Sequence, residues 1–227
     1  MIKPVMSALV GGLMCYSVTE SASFRPVIVT AVLVLALVGM TACDSSSGSG
    51  GMDDFELGAF EVGDMGPAEG IIIFVDDNED YEDFIYIEAA PEDLEVDGSS
   101  IHNWGPAYTD PFYVNNTLED FGAGESNTAL VVAAMEEADE SGRAAQLVDA
   151  YSHAGFNDWY LPSKDTLEYM CEEFHLEGEG GFDSSFYWSS SDESVQQAWS
   201  ISFSASSCFE SSAWKTNNSR LRPVRSF

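Results

Sequence analysis

The spacing of apolar positions changes within residues 157–174, and the change marks the junction between a turn and a helix. Asn157-Asp158 is turn-forming, and Trp159-Tyr160-Leu161 is a short apolar run with strand character. Pro162 biases the preceding residue towards the extended region, and Ser163 can cap a helix that follows. Apolar side chains then recur at i, i+3, i+4 and i+7, at Leu167, Met170, Cys171 and Phe174. This spacing predicts one amphipathic helix packed on a core.

Strand-like patterns lie on both sides of this helix. Gly70–Val75 is a continuous β-branched run, and Asp83–Ala90 is its expected antiparallel partner across an acidic loop. Further strands are expected at Ser185–Ser191, Ala198–Phe203 and Arg220–Phe227. Between the first two strands and the later ones, helices are expected at Thr128–Met135, capped by Ser126 or Asn127, and at Ala144–Tyr151. The order of strands, helices and strands predicts an α+β fold.

A leader precedes this domain. Val27–Met40 is an unbroken apolar run, with Arg25 before it and Thr41-Ala42-Cys43 after it. This order is typical of a secretory signal peptide, and its end resembles a bacterial lipoprotein signal, in which the Cys43 thiol accepts a diacylglyceryl group. We therefore expect residues 1–43 to be a lipoprotein signal peptide, with residues 1–24 reflecting a mis-assigned start codon. The alternative is an uncleaved anchor, but the run is shorter than the about 20 residues that a spanning helix needs.

The leader sets the expected location and domain boundaries. Residues 44–65 are acidic and rich in serine and glycine at their start, which predicts a flexible linker. The folded domain is expected at residues 66–227. We expect the protein to lie in the cell envelope, anchored to a bacterial membrane through lipidated Cys43, with the outer membrane or cell surface favoured.

The charge of the chain excludes several classes of partner. The chain has 39 acidic and 8 basic residues and a formal net charge of −31. Such a surface repels nucleic acid phosphates and anionic lipid head groups, so nucleic acid is not an expected partner. Three of the six basic residues outside the leader, Arg220, Arg222 and Arg225, lie at the chain end, where we expect them to form internal ion pairs that lock the terminus in place. Hydrophobic residues make up 45% of the chain, enough for a packed core, so the acidity does not indicate disorder.

One acidic loop carries part of a calcium-binding pattern. Asp76, Asn78 and Asp80 have the spacing that begins an EF-hand loop. The match ends there, because Tyr81 stands at the glycine position and Ile87 at the position of the bidentate glutamate. The sequence favours a solvated turn over a Ca²⁺ site, and no cofactor or metal site is expected.

The sequence carries no strong zinc-ligand or catalytic motif. His102, His153 and His175 do not share a metal-ligand spacing, and the sequence has no G-x-S-x-G nucleophile motif. Outside the leader, and apart from Cys43, the chain has Cys171 and Cys208. Cys171 is expected to be buried and inert on its helix, and in an exported protein the two cysteines could instead form a disulfide.

Several blocks together resemble the C-terminal domain of the Lcl family, named after a legionella collagen-like adhesin. They are Asp158–Lys164, Tyr187–Ser191, Ala198-Trp199 with Phe203, and the terminal run Arg220–Phe227, supported upstream by Gly66-Pro67-Ala68, Glu88–Pro91, Trp104-Gly105 and Gly122–Thr128. The resemblance covers about residues 66–227. Its signature residues, which we expect to be mostly structural, are Trp159, Leu161, Pro162, Ser163, Trp188, Ser189, Ser190, Trp199, Arg222, Pro223 and Arg225.

The resemblance implies a fold and a broad role. The fold would be C-type lectin-like, with two helices flanking a twisted, mostly antiparallel sheet and with the termini close together. The role would be a non-catalytic recognition or adhesion module with an unknown glycan or protein ligand, bound by the long loops Pro91–Asn116 and Gly178–Phe186. The sulfated polysaccharides bound by the named adhesin need a basic surface, so that ligand is not expected here. The alternatives are an oxidative or hydrolytic enzyme on the same fold, and a structural acidic envelope protein.

Overall fold

A computed structural model describes residues 58–106 and 113–227. The expected signal peptide, Cys43 and linker residues 44–57 lie outside the described residues, as does the centre of the Pro91–Asn116 loop. Within the described ranges, no helix has the length and hydropathy needed to cross a bilayer. The elements, in chain order, are β1 Ile71–Val75, β2 Tyr86–Ala89, β3 His102–Asn103, α1 Gly124–Glu137, α2 Ala144–Asp149, α3 Lys164–Met170, a π-helical segment Cys171–His175, β4 Phe186–Asp192, β5 Gln197–Ser204, β6 Ser207–Trp214, β7 Asn218–Ser219 and β8 Val224–Ser226.

The α+β class is confirmed, with three antiparallel sheets and a smaller helical content. The first sheet has the order β1-β2-β8, and it includes the predicted hairpin, with Ile71 opposite Ala89 and Val75 opposite Tyr86. The second is the short pair β3-β7, and the third has the order β4-β5-β6. Strand β6 was not predicted, because its serine-rich sequence carries no apolar alternation strong enough to mark a strand.

The C-terminal strand β8 completes the first sheet. Strand β8 pairs with β2, so that Arg225 lies opposite Glu88. At the other end of the described chain, the ring of Phe60 lies 6.1 Å from that of Phe227, and the Gly63 amide donates to the Ile72 carbonyl at 2.8 Å. Residues 58–65 therefore pack on the first sheet, which corrects the linker boundary at residue 65: the folded unit begins upstream of residue 66.

Helix α1 begins earlier than predicted. Its first residue is Gly124 and its N-cap is Ala123, so a cap at Ser126 or Asn127 is wrong. Asn127 is buried instead, and its side chain accepts from the Leu118 amide at 2.8 Å and donates to the Leu118 carbonyl at 2.7 Å. The Asn127 side chain thus ties the preceding loop to the helix. Helix α2 is a separate element, because Asp139 and Gly142 have left-handed backbone conformations between the two helices.

The helix predicted after Pro162 is confirmed in position but is not a regular α-helix throughout. Ser163 caps α3, and its Oγ accepts from the Thr166 amide at 3.4 Å. The helix ends at Met170 and continues as the π-helical segment Cys171–His175. All members of the predicted stripe are buried, at Leu167, Met170, Cys171 and Phe174. They pack on the face of the third sheet that carries Tyr187, Ile201 and Phe203.

Candidate functional site

The signature tryptophans divide into two groups. Trp159 and Trp188 are buried, and Trp188 Nε1 donates to the His102 carbonyl at 2.9 Å. Trp199 is only half-buried: its Nε1 donates to Glu119 at 3.0 Å, and the Lys164 ammonium lies 5.4 Å from its ring centre. Trp159 and Trp188 therefore belong to the scaffold, while part of Trp199 faces solvent.

The signature residues around the turn before α3 tie that turn to β4. The Pro162 carbonyl accepts from the Ser190 amide at 2.8 Å and from the Ser190 Oγ at 3.1 Å. Ser189 Oγ donates to the Trp199 carbonyl at 2.8 Å, and the amide of buried Leu161 donates to Thr128 Oγ1 at 3.0 Å. The small hydroxyl side chains thus satisfy buried backbone groups that have no ladder partner.

The terminal arginines form internal ion pairs, as the sequence indicated. The Arg225 guanidinium binds Asp158 through two hydrogen bonds, at 2.9 and 2.8 Å, and it also contacts Glu88 at 3.2 Å. Glu88 in turn accepts from the amides of Ala68 and Gly70 at 3.0 and 2.8 Å. The Pro223 carbonyl accepts from the Ala90 amide at 2.8 Å. The chain terminus is therefore locked to the first hairpin and to the turn before α3.

A second buried pair, Lys215 and Asp192, was missed by the sequence analysis. The Lys215 ammonium lies 2.7 and 2.8 Å from the two Asp192 oxygens and 4.8 Å from the centre of the Trp104 ring. Asp192 also accepts from the Val114 amide at 2.8 Å. Burial lowers the pKa of Lys215 and raises the pKa of Asp192, although each attracts the charged form of the other. The pair fastens residues 113–117 to the third sheet.

The predicted ligand loop Gly178–Phe186 borders a concave cavity of about 370 Å³. Phe182 supplies an aromatic surface, Ser184 a hydroxyl group, and Glu177 and Glu179 carboxylates. His175 lines the side near β5, where its Nε2 lies 3.0 Å from the Ser204 carbonyl. A cavity of this size falls in the range of small-ligand sites. An aromatic ring beside carboxylate and hydroxyl acceptors suits a polyhydroxylated ligand.

The Gly178–Phe186 loop is held in place by Arg222, which is fully buried. Its guanidinium donates to the Gly180 and Gly181 carbonyls at 2.8 and 2.9 Å and to Asp93 at 2.9 Å. It also lies 4.3 Å from the centre of the Phe182 ring. Gly180 has φ +70°, and a Cβ there would lie 2.3 Å from that ring. A signature arginine thus fixes the shape of the predicted ligand loop.

The two cysteines of the domain form a disulfide. Cys171 and Cys208 are bonded, with Cα atoms 5.9 Å apart, and Cys171 is buried. The bond joins the π-helical segment to β6, and His175 of that segment lines the cavity. The disulfide therefore supports one wall of the cavity.

The candidate metal-binding residues lie apart from the cavity or already have hydrogen-bond partners. Asp76 is buried in its acidic loop and accepts from the amides of Asp80 and Tyr81 at 3.0 and 2.8 Å. Its burial raises the pKa, but these hydrogen bonds outweigh burial and the pKa is lowered. His102 lies on β3, and His153 stacks on Tyr151. Across residues 58–106 and 113–227, no cluster of His, Cys, Asp or Glu side chains is arranged to hold a metal ion.

The other predicted ligand loop, Pro91–Asn116, has its ends packed on the domain. Trp104 and Val114 are buried, and Trp104 Nε1 donates to the Ser189 carbonyl at 2.8 Å. Asp93 binds Arg220 and Arg222. Among the apolar residues described in this loop, Ile101 and Tyr113 remain substantially exposed, and the acidic residues Glu92, Glu95 and Asp97 are exposed as well. The described parts of this loop therefore combine buried anchor residues with an exposed surface.

Comparisons with known proteins add little to what the geometry shows. No protein-family model matches the chain, and no curated protein matches it. Among solved structures, a fimbrial protein from Bacteroides ovatus aligns with a TM-score of 0.45 and 15% sequence identity over 65% of this chain. The aligned part spans 37% of that protein's own length. A likeness at this level does not establish a common fold.

Proposed function

We propose that the protein is a lipid-anchored, non-catalytic recognition module of the cell envelope, with an Lcl-like domain of C-type lectin-like fold. The observation that carries the proposal is the cavity on the Gly178–Phe186 loop, whose shape is fixed by buried Arg222. Binding residues on a loop held by a rigid scaffold are typical of recognition proteins, because the loop is already ordered before the ligand arrives.

The chemistry of the cavity favours a neutral or amino sugar. Phe182 offers a ring face for the apolar side of a pyranose, and Ser184, Glu177 and Glu179 offer hydrogen-bond partners for hydroxyl or ammonium groups. With a net charge of −31, the protein repels sulfated and phosphorylated chains. The ligand class of the named adhesin is therefore excluded from the proposal.

The enzyme alternative receives less support. An oxidative enzyme would be favoured by cysteines that are free, exposed and close together. Cys171 and Cys208 are instead bonded to each other, and Cys171 is buried. The buried ion pair of Lys215 with Asp192 fastens a loop to the sheet. These groups stabilise the fold, which is the role that a recognition scaffold requires.

A glycan-array screen tests the proposal. The full-length protein, purified in mild detergent, is applied with and without calcium, beside the variants Ser184→Trp and Ser126→Trp. Ser184 lines the cavity, and Ser126 is an exposed serine on α1 that serves as the matched control. We expect binding to a neutral or amino-sugar group, loss of that binding in Ser184→Trp, and no loss in Ser126→Trp. Failure of the unmodified protein on every glycan and on whole cells would favour the structural acidic envelope protein.

A further inference from the structure

Strand β6 forms an open edge of the third sheet. It pairs with β5 along its whole length, from Gln197 opposite Trp214 to Ser204 opposite Ser207, without a bulge. Within the described part of the chain, no strand pairs with its other side. An edge strand of this kind presents backbone donors and acceptors that another extended chain can use.

The outward backbone groups can be assigned from the ladder. The Lys215 amide donates to the Gln196 carbonyl at 3.0 Å, so this pair is a hydrogen-bonded one. Bonded and non-bonded pairs alternate in an antiparallel ladder. The backbone groups of residues 208, 210, 212 and 214 therefore point away from β5, and the Trp214 carbonyl already accepts from the Asn217 amide at 2.7 Å. The Ser212 carbonyl accepts from the Gln197 side chain at 3.2 Å, which leaves its second lone pair and the Ser212 amide for a new strand.

The strand itself has few of the usual features that discourage pairing. Proteins protect sheet edges with proline, lysine, bulges or very short strands. Strand β6 has 8 residues, contains neither proline nor lysine, and has Glu210 as its one charged residue. Its register with β5 is regular throughout. The edge therefore retains its capacity to accept another strand.

The two faces of β6 select the side chains of an incoming strand. On the face towards α3, the Lys164 ammonium is shared by Glu210, Glu119 and Asp165, at 2.5, 3.1 and 3.2 Å. Burial, together with Glu210 and Glu172, raises the pKa of Glu168 on the same side. Carboxylates thus outnumber ammonium groups here, and a cation opposite Glu210 would be stabilised.

The opposite face of β6 is apolar at one end. Phe209 is 49% exposed, and its ring meets that of Phe186, itself 43% exposed, edge-to-face at 6.2 Å. An incoming strand places alternate side chains on this face, where aliphatic or aromatic groups would cover the two rings.

We propose that β6 accepts, by strand addition, an extended segment of a partner protein in which Lys or Arg alternates with apolar residues. Backbone hydrogen bonds would give affinity, and the alternation would give specificity. A second copy of this chain fits less well, because it would set two Glu210 side chains together and join two molecules of net charge −31. This surface is distinct from the cavity, so the inference does not depend on the proposed function.

Titration of the full-length protein with a capped peptide of alternating lysine and valine tests this inference. We expect binding, slower hydrogen exchange at the amides of residues 210 and 212, and affinity weakened on the order of tenfold or more in Ser212→Pro. Proline at 212 removes an outward amide and no β5 ladder bond, and Ser212→Ala is the matched control that retains binding. Ser184→Trp, which fills the cavity, should bind the peptide normally.

A second probe keeps the test decisive if Ser212→Pro misfolds. The same peptide, N-methylated on alternate residues, keeps its charge but loses its donors, so we expect it not to bind. Equal affinity for the methylated and unmethylated peptides would contradict strand addition, since charge alone would then explain binding. Absence of binding by the unmethylated peptide, or an unchanged affinity in folded Ser212→Pro, would also overturn the proposal.

Discussion

Buried charges join segments of this domain that lie far apart in the sequence. Arg222, Arg225, Glu88 and Lys215 are buried, and each is satisfied by a partner distant in sequence. Burying one such charge without its partner costs several kcal/mol, so these contacts hold only when the whole arrangement forms. At this scale the acidic composition is less informative than the few basic side chains, which join separate segments.

Replacement of Arg222 by methionine should be strongly destabilising. It would leave Asp93 with the Arg220 guanidinium and the Tyr187 hydroxyl, and it would remove the donors to the Ala90, Gly180 and Gly181 carbonyls. We expect the free energy of unfolding in urea to fall by about 3–5 kcal/mol. The matched control is Arg143→Met, which breaks the partly exposed pair with Glu140 and should cost less than about 1 kcal/mol. Similar losses in the two variants would contradict the role assigned to Arg222.

Glu168→Gln should stabilise the protein at neutral pH. Burial and the neighbouring Glu210 and Glu172 raise the pKa of Glu168 above its ordinary value of 4.5, so its ionisation is less favourable in the folded state than in the unfolded state. The carboxylate therefore lowers stability as the pH rises through this range. We expect a gain of about 0.2–0.5 kcal/mol in urea unfolding at neutral pH, which disappears below about pH 3 and shrinks in high salt. In the exposed-loop control Glu95→Gln we expect no comparable gain, and an equal gain there would contradict the local explanation.

The sequence predicted the terminal arginine pairs but not the Lys215–Asp192 pair. Three arginines in the last eight residues of an acidic chain must meet carboxylates, whichever these are. Their partners Asp93 and Glu88 lie more than a hundred residues away along the chain. Lys215 is a lone cation after a serine-rich strand, and nothing in its local pattern indicates burial. Pairings of this kind depend on the tertiary fold and have no local signal.

At the scale of elements, apolar periodicity identified the strands and helices that carry a core face. The stripe of α3 is an example, because its buried positions repeat at helical intervals. The hairpin β1-β2 was identified instead by continuous apolar runs, and all four residues of β2 are buried. Strand β6 was missed because its apolar side chains Cys208 and Ala213 are only partly buried against the core, and the strand is held mainly by backbone pairing. The start of α1 was misplaced because Asn127, which has the composition of a cap, uses its amide to hold a neighbouring loop. Local propensity was overridden in both cases by tertiary contacts.

Loss of the disulfide should weaken the junction between the π-helical segment and β6. The bond closes a loop with a sequence separation of 37 residues, so the chain-entropy model gives about 3–4 kcal/mol. We expect Cys171→Ser with Cys208→Ser to lower the free energy of unfolding in urea by about this amount. The unsubstituted protein in reducing agent should behave likewise, whereas the reducing agent should not affect the double variant. A free thiol found at either position by peptide mapping would contradict the bond.

At the scale of the whole molecule, the charge is distributed unequally between interior and surface. Every lysine and arginine of the described ranges is ion-paired: Arg143, Lys164, Lys215, Arg220, Arg222 and Arg225. Most carboxylates of these ranges therefore remain without a cationic partner, and we expect such a surface to repel anionic polymers and lipids. A domain of this kind needs an uncharged anchor to remain at a membrane, and the proposed acyl chains on Cys43 would provide it.

Mass spectrometry of the protein from its native membrane tests this anchor. We expect the N-terminal peptide to begin at Cys43 and to carry a diacylglyceryl group, and Cys43→Ser should release the protein from the membrane fraction. Any peptide from residues 1–24 on the mature protein would contradict the expected cleavage site and the expected start.

Recognition through the Gly178–Phe186 cavity can be tested by hydrogen exchange of the full-length protein with and without the glycan that it binds best. We expect slower exchange in residues 175–184 and around Ala205, with unchanged exchange across α1. Slower exchange confined to other segments, or no change at saturating glycan, would contradict it.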